Sequence, residues 1–180
     1  MRLPIAALGV FLLAGFADRA QAQATATADR SGSLQAGAGV SYASPDYGPK
    51  DTKGVSGYVD FDLTRHIGVE ATVHIVSLIT PTDIGEDTYL IGPRYVYHYR
   101  RFNPYAKVLL GLGEFQYQYD YAPHYHEGHG VFAFGGGLDI RATHRLNIRA
   151  IDFESQHWPG FARNGLTPYV TTVGAAYRFF

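Results

Sequence analysis

Ile67-Gly68-Val69-Glu70-Ala71-Thr72-Val73-His74-Ile75 alternates without a break: Ile67, Val69, Ala71, Val73 and Ile75 fall on one side of an extended chain, and Gly68, Glu70, Thr72 and His74 on the other. Successive side chains of a strand point to opposite faces, so this contrast puts one face in oil and the other in a polar setting.

The same period of two returns on both sides of this segment, eight times in all. Upstream, Leu34, Ala36, Ala38, Val40 and Tyr42 oppose Gln35, Gly37, Gly39 and Ser41. Val55, Gly57, Val59, Phe61 and Leu63 then oppose Ser56, Tyr58, Asp60, Asp62 and Thr64. Downstream, Tyr89, Ile91, Pro93, Tyr95 and Tyr97 oppose Thr88, Leu90, Gly92 and Arg94. Pro93 cannot donate to a ladder, so a bulge or a missing hydrogen bond is expected beside it. Ala106, Val108, Leu110 and Leu112 oppose Tyr105, Lys107, Leu109, Gly111 and Gly113, and Phe132, Phe134, Leu138 and Ile140 oppose Ala133, Gly135, Gly137, Asp139 and Arg141. The last segment sets Thr171, Val173, Ala175, Tyr177 and Phe179 against Val170, Thr172, Gly174, Ala176 and Arg178. The seventh breaks the rule. Leu146 and Ile148 alternate with Asn147 and Arg149, but beyond Ala150 the apolar parity moves to Ile151 and Phe153. Uncorrected, this would turn Asp152 and Glu154 toward lipid, so a one-residue bulge is predicted near Ala150 and Ile151; the alternative is a strand that has left the membrane by Asp152.

Connections alternate in length. Short links at residues 64–66, 98–104 and 142–145 alternate with long ones at 43–54, 77–87, 116–129 and 155–167. Short periplasmic turns and long external loops are the rule for membrane barrels, and an even strand count then leaves both chain ends in the periplasm. A soluble barrel of the lipocalin kind also alternates, with its apolar face inward around a ligand. Here the polar face is crowded with glycines (Gly37, Gly39, Gly92, Gly111, Gly113, Gly135, Gly137, Gly174), which suit a narrow interior. Only 17% of the chain is charged, against the roughly 25–35% of a soluble exterior. The predicted fold is therefore all-β: an eight-stranded antiparallel up-and-down transmembrane barrel.

The N-terminus supplies an address. Arg2, an apolar run from Leu3 to Ala17, then Asp18, Arg19 and Ala20-Gln21-Ala22 have the order of a cleavable export signal. Residues 1–22 are read as signal, 23–33 as a small, polar periplasmic leader, and 34–180 as the barrel. Removing Arg2, Arg19 and Asp18 takes the net charge from -1 to about -2, which argues against nucleic acid as a partner. Cysteine is absent, so neither disulfides nor a lipidated Cys hold the exported chain.

Gly174, Tyr177 and Phe179 form a Gly-x-x-Tyr-x-Phe ending, followed by Phe180. With the alternation, this ending resembles the small OmpA/OmpX-like outer-membrane barrels, the porin-family proteins with an outer-membrane β-barrel domain. The resemblance covers about residues 34–180. It implies a bacterial outer-membrane location, contact with outer-membrane lipids and lipopolysaccharide, and reading of the last strand by the barrel assembly machinery. Phe180 displaces the terminal carboxylate from its usual place in that motif. No further domain is expected beyond the barrel.

Inside the barrel the parity places Asp60, Asp62, Glu70, Asp139, Asp152 and Glu154 with Arg94, Lys107, Arg141, Arg149 and Arg178. An unpaired buried charge costs several kcal/mol, so these groups are expected to pair and plug the narrow interior. The alternative is a narrow or gated pore whose ion pairs rearrange. His124, His126 and His129 with Glu127 have a metal-binding composition but no trusted template; they are read as an external loop without metal, beside Tyr117, Tyr119, Tyr121 and Tyr125, which could form an adhesive surface. Lipid A enzymes also use eight-stranded barrels and need a His, a Ser and a carboxylate converging. His74 with Ser77, and Glu154 with Ser155 and His157, are the candidates, but no enzyme motif accompanies them. The expectation is a monomeric barrel with no catalytic centre and no cofactor, serving the envelope structurally or through its loops. Replacing Tyr177 and Phe179 by polar residues is predicted to impair assembly, read as loss of the heat-modifiable folded band; a normal folded band would remove the signal assignment.

Overall fold

The computed structural model describes residues 32–46, 51–76, 84–117, 125–160 and 165–180; the export signal and nearly all of the leader lie outside them. Eight strands, β1 (Ser33–Ser44), β2 (Thr52–Asp62), β3 (Ile67–Ile75), β4 (Ile84–Val96), β5 (Phe102–Tyr117), β6 (Tyr125–Arg141), β7 (Leu146–His157) and β8 (Tyr169–Arg178), pair with their sequence neighbours. The sheet closes where β1 pairs antiparallel with β8, Gln35 against Arg178 through Ser44 against Tyr169. Closure removes the unpaired edges that a bilayer would not tolerate.

The two faces are those that alternation assigns. Outward side chains are apolar and bare, with Leu110 at 63% and Leu112 at 65% exposure. An apolar surface of this extent is foreign to water and natural in a bilayer. Tyr95, Tyr97, Tyr99, Phe102, Tyr177 and Phe179 collar the end that holds the short turns, while Tyr42, Tyr89 and Tyr169 stand nearer the other. The inward face is polar and charged, the reverse of a lipocalin.

Two irregularities answer local conflicts in the sequence. Leu138 pairs with Ile151 and Asp139 with Arg149, so Ala150 has no partner on β6; the ladder to β8 shifts at the same place, between Arg149 and Asp152. That extra residue turns Asp152 and Glu154 inward, both at most 2% exposed, while Ile151 and Phe153 face out. At Pro93 the β4–β5 ladder skips from Ile91–Leu110 to Arg94–Lys107 with its register unchanged. A proline without an N–H breaks the hydrogen bonding locally and inserts no residue.

Several boundaries move. Ser33, assigned to the leader, opens β1, where its hydroxyl donates to Asp62 at 2.7 Å. The long connections shrink because the strands run on past their alternating stretches. Most of the histidine-rich segment is strand: Tyr125 to His129 pair with Tyr117 to Gly113. Its polar sequence carries no period-two signal, and the partner strand supplies the ladder. His124 lies outside the described residues, as do Ser77, Tyr119 and Tyr121. β4, β5 and β6 thus form a three-stranded sheet reaching past the last described pairs of β3 with β4 (Ile75–Asp87) and β6 with β7 (Phe132–His157).

The three short turns are laced together. His66 Nδ1 lies 2.9 Å from the Val96 carbonyl, and His98 Nε2 2.7 Å from the Arg65 carbonyl. The Arg141 amide donates to the Arg101 carbonyl and the Arg178 amide to that of Arg145, each at 2.8 Å. Toward the opposite end Leu90, Leu109, Val131, Ala133, Trp158 and Leu166 form a buried apolar cluster. Trp158, fully buried, lies against Gly113, where any Cβ would overlap the indole ring. Gly113→Ala is expected to destabilise the barrel by about 1–3 kcal/mol through overpacking. The sole tryptophan makes fluorescence-detected urea unfolding the measurement.

Candidate functional site

The lumen holds one connected set of ionisable side chains, drawn from β2 to β7 and each at most 3% exposed: Asp60, Glu70, Arg94, Lys107, Asp139, Arg149, Asp152 and Glu154. Lys107 Nζ sits 2.6 Å from a carboxylate oxygen of each of Glu70, Asp152 and Glu154. The three carboxylates bring oxygens within 4.8 Å of one another, a spacing that could hold a metal ion; here the lysine ammonium is their cation. Arg149 reaches Asp60 at 3.0 Å, Glu70 at 3.1 Å and Asp139 at 3.2 Å. Arg94 joins Asp60 at 2.6 Å and also pairs with Asp139.

Neutral groups extend the set along the barrel. Toward the turns, Gln35 donates to Asp60 and accepts from Asn147, both at 2.5 Å. Toward the loops, Glu154 meets His74 Nε2 at 3.2 Å, and His74 Nδ1 lies 3.4 Å from Ser41 Oγ, itself 2.8 Å from Thr172 Oγ1. With β1 and β8 joined this way, all eight strands contribute.

Two tyrosines roof the guanidiniums. Arg149 lies 3.6 Å from the Tyr58 ring centroid and Arg94 4.1 Å from that of Tyr105. A ring face attracts a cation most when water is excluded. Each tyrosine stands directly across its hairpin from a glycine, Tyr58 from Gly37 and Tyr105 from Gly137. A Cβ at Gly37 would overlap the Tyr58 ring. The glycine makes the space and the aromatic covers the bare backbone.

Three of the eleven expected charges stand apart. Asp62, Arg141 and Arg178 are half-buried at the turn end, where the strands finish. Asp62 and Arg178, with Gln35, His98 and Asn147, line a small, solvent-open polar recess that ends on Arg94 and Asp139. In the proposed terminal signal, Gly174 faces inward, Tyr177 faces out and accepts from Arg145 at 3.1 Å, and Phe179 and Phe180 are exposed beyond β8. The Tyr177 and Phe179 rings meet edge to face at 5.3 Å.

The catalytic candidates divide. His74 and Glu154 meet inside the lumen, whereas His157 packs on the outward Phe132 ring at 4.9 Å and Ser155 is half-exposed on the outer side. The serine that approaches His74 is Ser41, which sequence reasoning did not single out. This Ser–His–Glu order is that of a nucleophilic triad. All three members are nevertheless at most 3% exposed, and Glu154 is also held by Lys107. A triad needs room for a scissile bond at the hydroxyl, and burial denies it here.

Lys107→Met would leave three carboxylates facing one another without their cation. The expected loss is about 3–5 kcal/mol, read from urea unfolding in bilayers, and Glu70→Gln in the same chain should recover part of it. Equal stability of Lys107→Met and the parent would mean that the cage contributes nothing.

The profile of the family described as outer membrane protein beta-barrel domain matches residues 8–179. No curated protein matches the chain. Among solved structures, the chain is similar to Neisserial surface protein A at 15% identity and a TM-score of 0.56, over 82% of this chain and 96% of that one. It is similar to the N-terminal barrel of Pseudomonas aeruginosa OprF at 11% identity and 0.57, over 82% and 99%. Ail of Yersinia pestis, solved in complex with the heparin analogue sucrose octasulfate, gives 17% and 0.52, over 82% and 97%. At these identities the likeness is one of fold.

Proposed function

The chain belongs to the outer membrane protein beta-barrel domain family, and from that premise we propose that it is a closed, non-conducting barrel serving the envelope structurally and through its loop end. The observation that carries this is the ion-paired lumen, with Lys107 bound to three carboxylates at 2.6 Å and the buried Trp158 cluster toward the loop end. Nothing hydrated passes such a plug unless ion pairs break in a desolvated interior, which costs several kcal/mol.

The three-stranded extension of β4, β5 and β6 supports an interaction role, because its paired backbone runs past the neighbouring ladders. Ail takes a sulfated heparin analogue. The described loop-end charges here are of the wrong sign for such a ligand, Asp46, Asp51, Glu86, Asp87, Glu114 and Glu127 against Lys53. Both termini are proposed to be periplasmic, the barrel to be a monomer, and Gly174, Tyr177, Phe179 and Phe180 to be read by the assembly machinery. A catalytic role is not part of this proposal.

A gated pore is the second reading, and the recess favours it, because its polar lining ends on Arg94 and Asp139 of the ion network. Planar-bilayer conductance of the refolded chain separates the two. The closed barrel predicts a silent membrane despite a folded band on gels; reproducible discrete steps would establish the pore instead.

A further inference from the structure

Six arginines and a single aspartate occupy the turn end: Arg65, Arg100, Arg101, Arg141, Arg145 and Arg178 against Asp62, over residues 62–66, 97–103, 141–146 and 178–180. The described loop end is acidic, as above, so the barrel is an electrical dipole along its axis. Arg65, Arg100, Arg101 and Arg145 are exposed. Two of their turns hold basic groups against outward rings of the aromatic collar: Arg145 donates to the Tyr177 hydroxyl at 3.1 Å, and Arg100 lies 5.7 Å from the Tyr99 ring centroid. The histidine beside Arg65, His66, stacks on outward-facing Tyr95 at 5.9 Å. These contacts lie on the perimeter of the barrel, at the level where rings of this kind meet headgroups.

The turns that carry these arginines are bonded to one another. His66 and His98 tie the β2–β3 turn to the β4–β5 turn, and main-chain bonds tie the latter to the β6–β7 turn and on to β8. The lacing fixes the turns that carry the arginines, and a guanidinium fork matches phosphate oxygens in geometry and charge.

We propose that the turn-end rim is a binding site for anionic phospholipid headgroups, with Arg65, Arg100, Arg101 and Arg145 as phosphate ligands and the aromatic collar seating the glycerol and acyl region. An anionic cell-wall polymer is the rival occupant, but it would approach along the barrel axis, whereas Arg145 and His66 lean on rings that face the lipid. The inference is independent of whether the barrel conducts.

The test is electron spin resonance of the folded full chain in phosphatidylcholine bilayers carrying spin-labelled phosphatidylglycerol or phosphatidylcholine. A single basic group near an anionic surface is worth roughly fivefold in association, so the parent should select labelled phosphatidylglycerol at least about fivefold. High salt should erase the preference, and the variant Arg65→Gln/Arg100→Gln/Arg101→Gln/Arg145→Gln should bring it near parity. If that variant gives no heat-modifiable band, Arg65→Gln/Arg101→Gln carries the test and should lose about half of the selectivity on a logarithmic scale. Equal association of both lipids with the parent, or selectivity unchanged in the folded variants, overturns the proposal. Arginine-dependent cosedimentation with purified peptidoglycan in the absence of lipid selectivity overturns it in favour of the polymer.

Discussion

An ion taken from water into a protein interior costs several kcal/mol unless its partners surround it, and the connected network in the lumen of this barrel contains five carboxylates, two guanidiniums and an ammonium. That constraint shapes the rest. Lys107 must meet Glu70, Asp152 and Glu154 together, and two of these carboxylates face inward only because Ala150 is an unpaired extra residue on β7. Arg149 and Arg94 need cover where carboxylates do not reach, and Tyr58 and Tyr105 supply it across from Gly37 and Gly137. Removing any one partner leaves the others less completely paired in a desolvated interior.

The faces of the sheet were legible because a period of two follows from strand geometry alone, and the β7 bulge because a parity slip has one cheap remedy. Partner choice was not legible. Whether Asp60 meets Arg149 or Arg141 depends on strand tilt and register around the closed barrel, and Gln35 and Asn147, 112 residues apart, carry no mark of their contact. Asp62, Arg141 and Arg178 share the inward parity yet stay at the rim, since parity gives direction and not depth. Residues 125–129 were hidden for a different reason: a polar strand extension has no apolar face to betray it. Tyr58 and Tyr105 had a readable signal in retrospect, each facing a glycine once the hairpins are aligned.

The two ends of the barrel divide the remaining chemistry. At the turn end, histidines and main-chain bonds tie together the turns that carry the arginines beside an aromatic collar, and a small polar recess ends on Arg94 and Asp139. Toward the loop end, Trp158 and its apolar neighbours form a buried cluster below an extended sheet. The apolar cluster lies on the loop side of the ion network.

The most direct test of a closed, charge-paired lumen uses the chain's few lysines as reporters. Lys53 is exposed on β2, while the Lys107 side chain is wholly buried. Acylation of the folded, membrane-inserted protein with a small amine-reactive ester, followed by peptide mass mapping, should modify Lys53 promptly and leave Lys107 untouched until the barrel is unfolded in denaturant. Modification of Lys107 at a rate close to that of Lys53 would show that water and small solutes enter the lumen, and would contradict the sealed ion network.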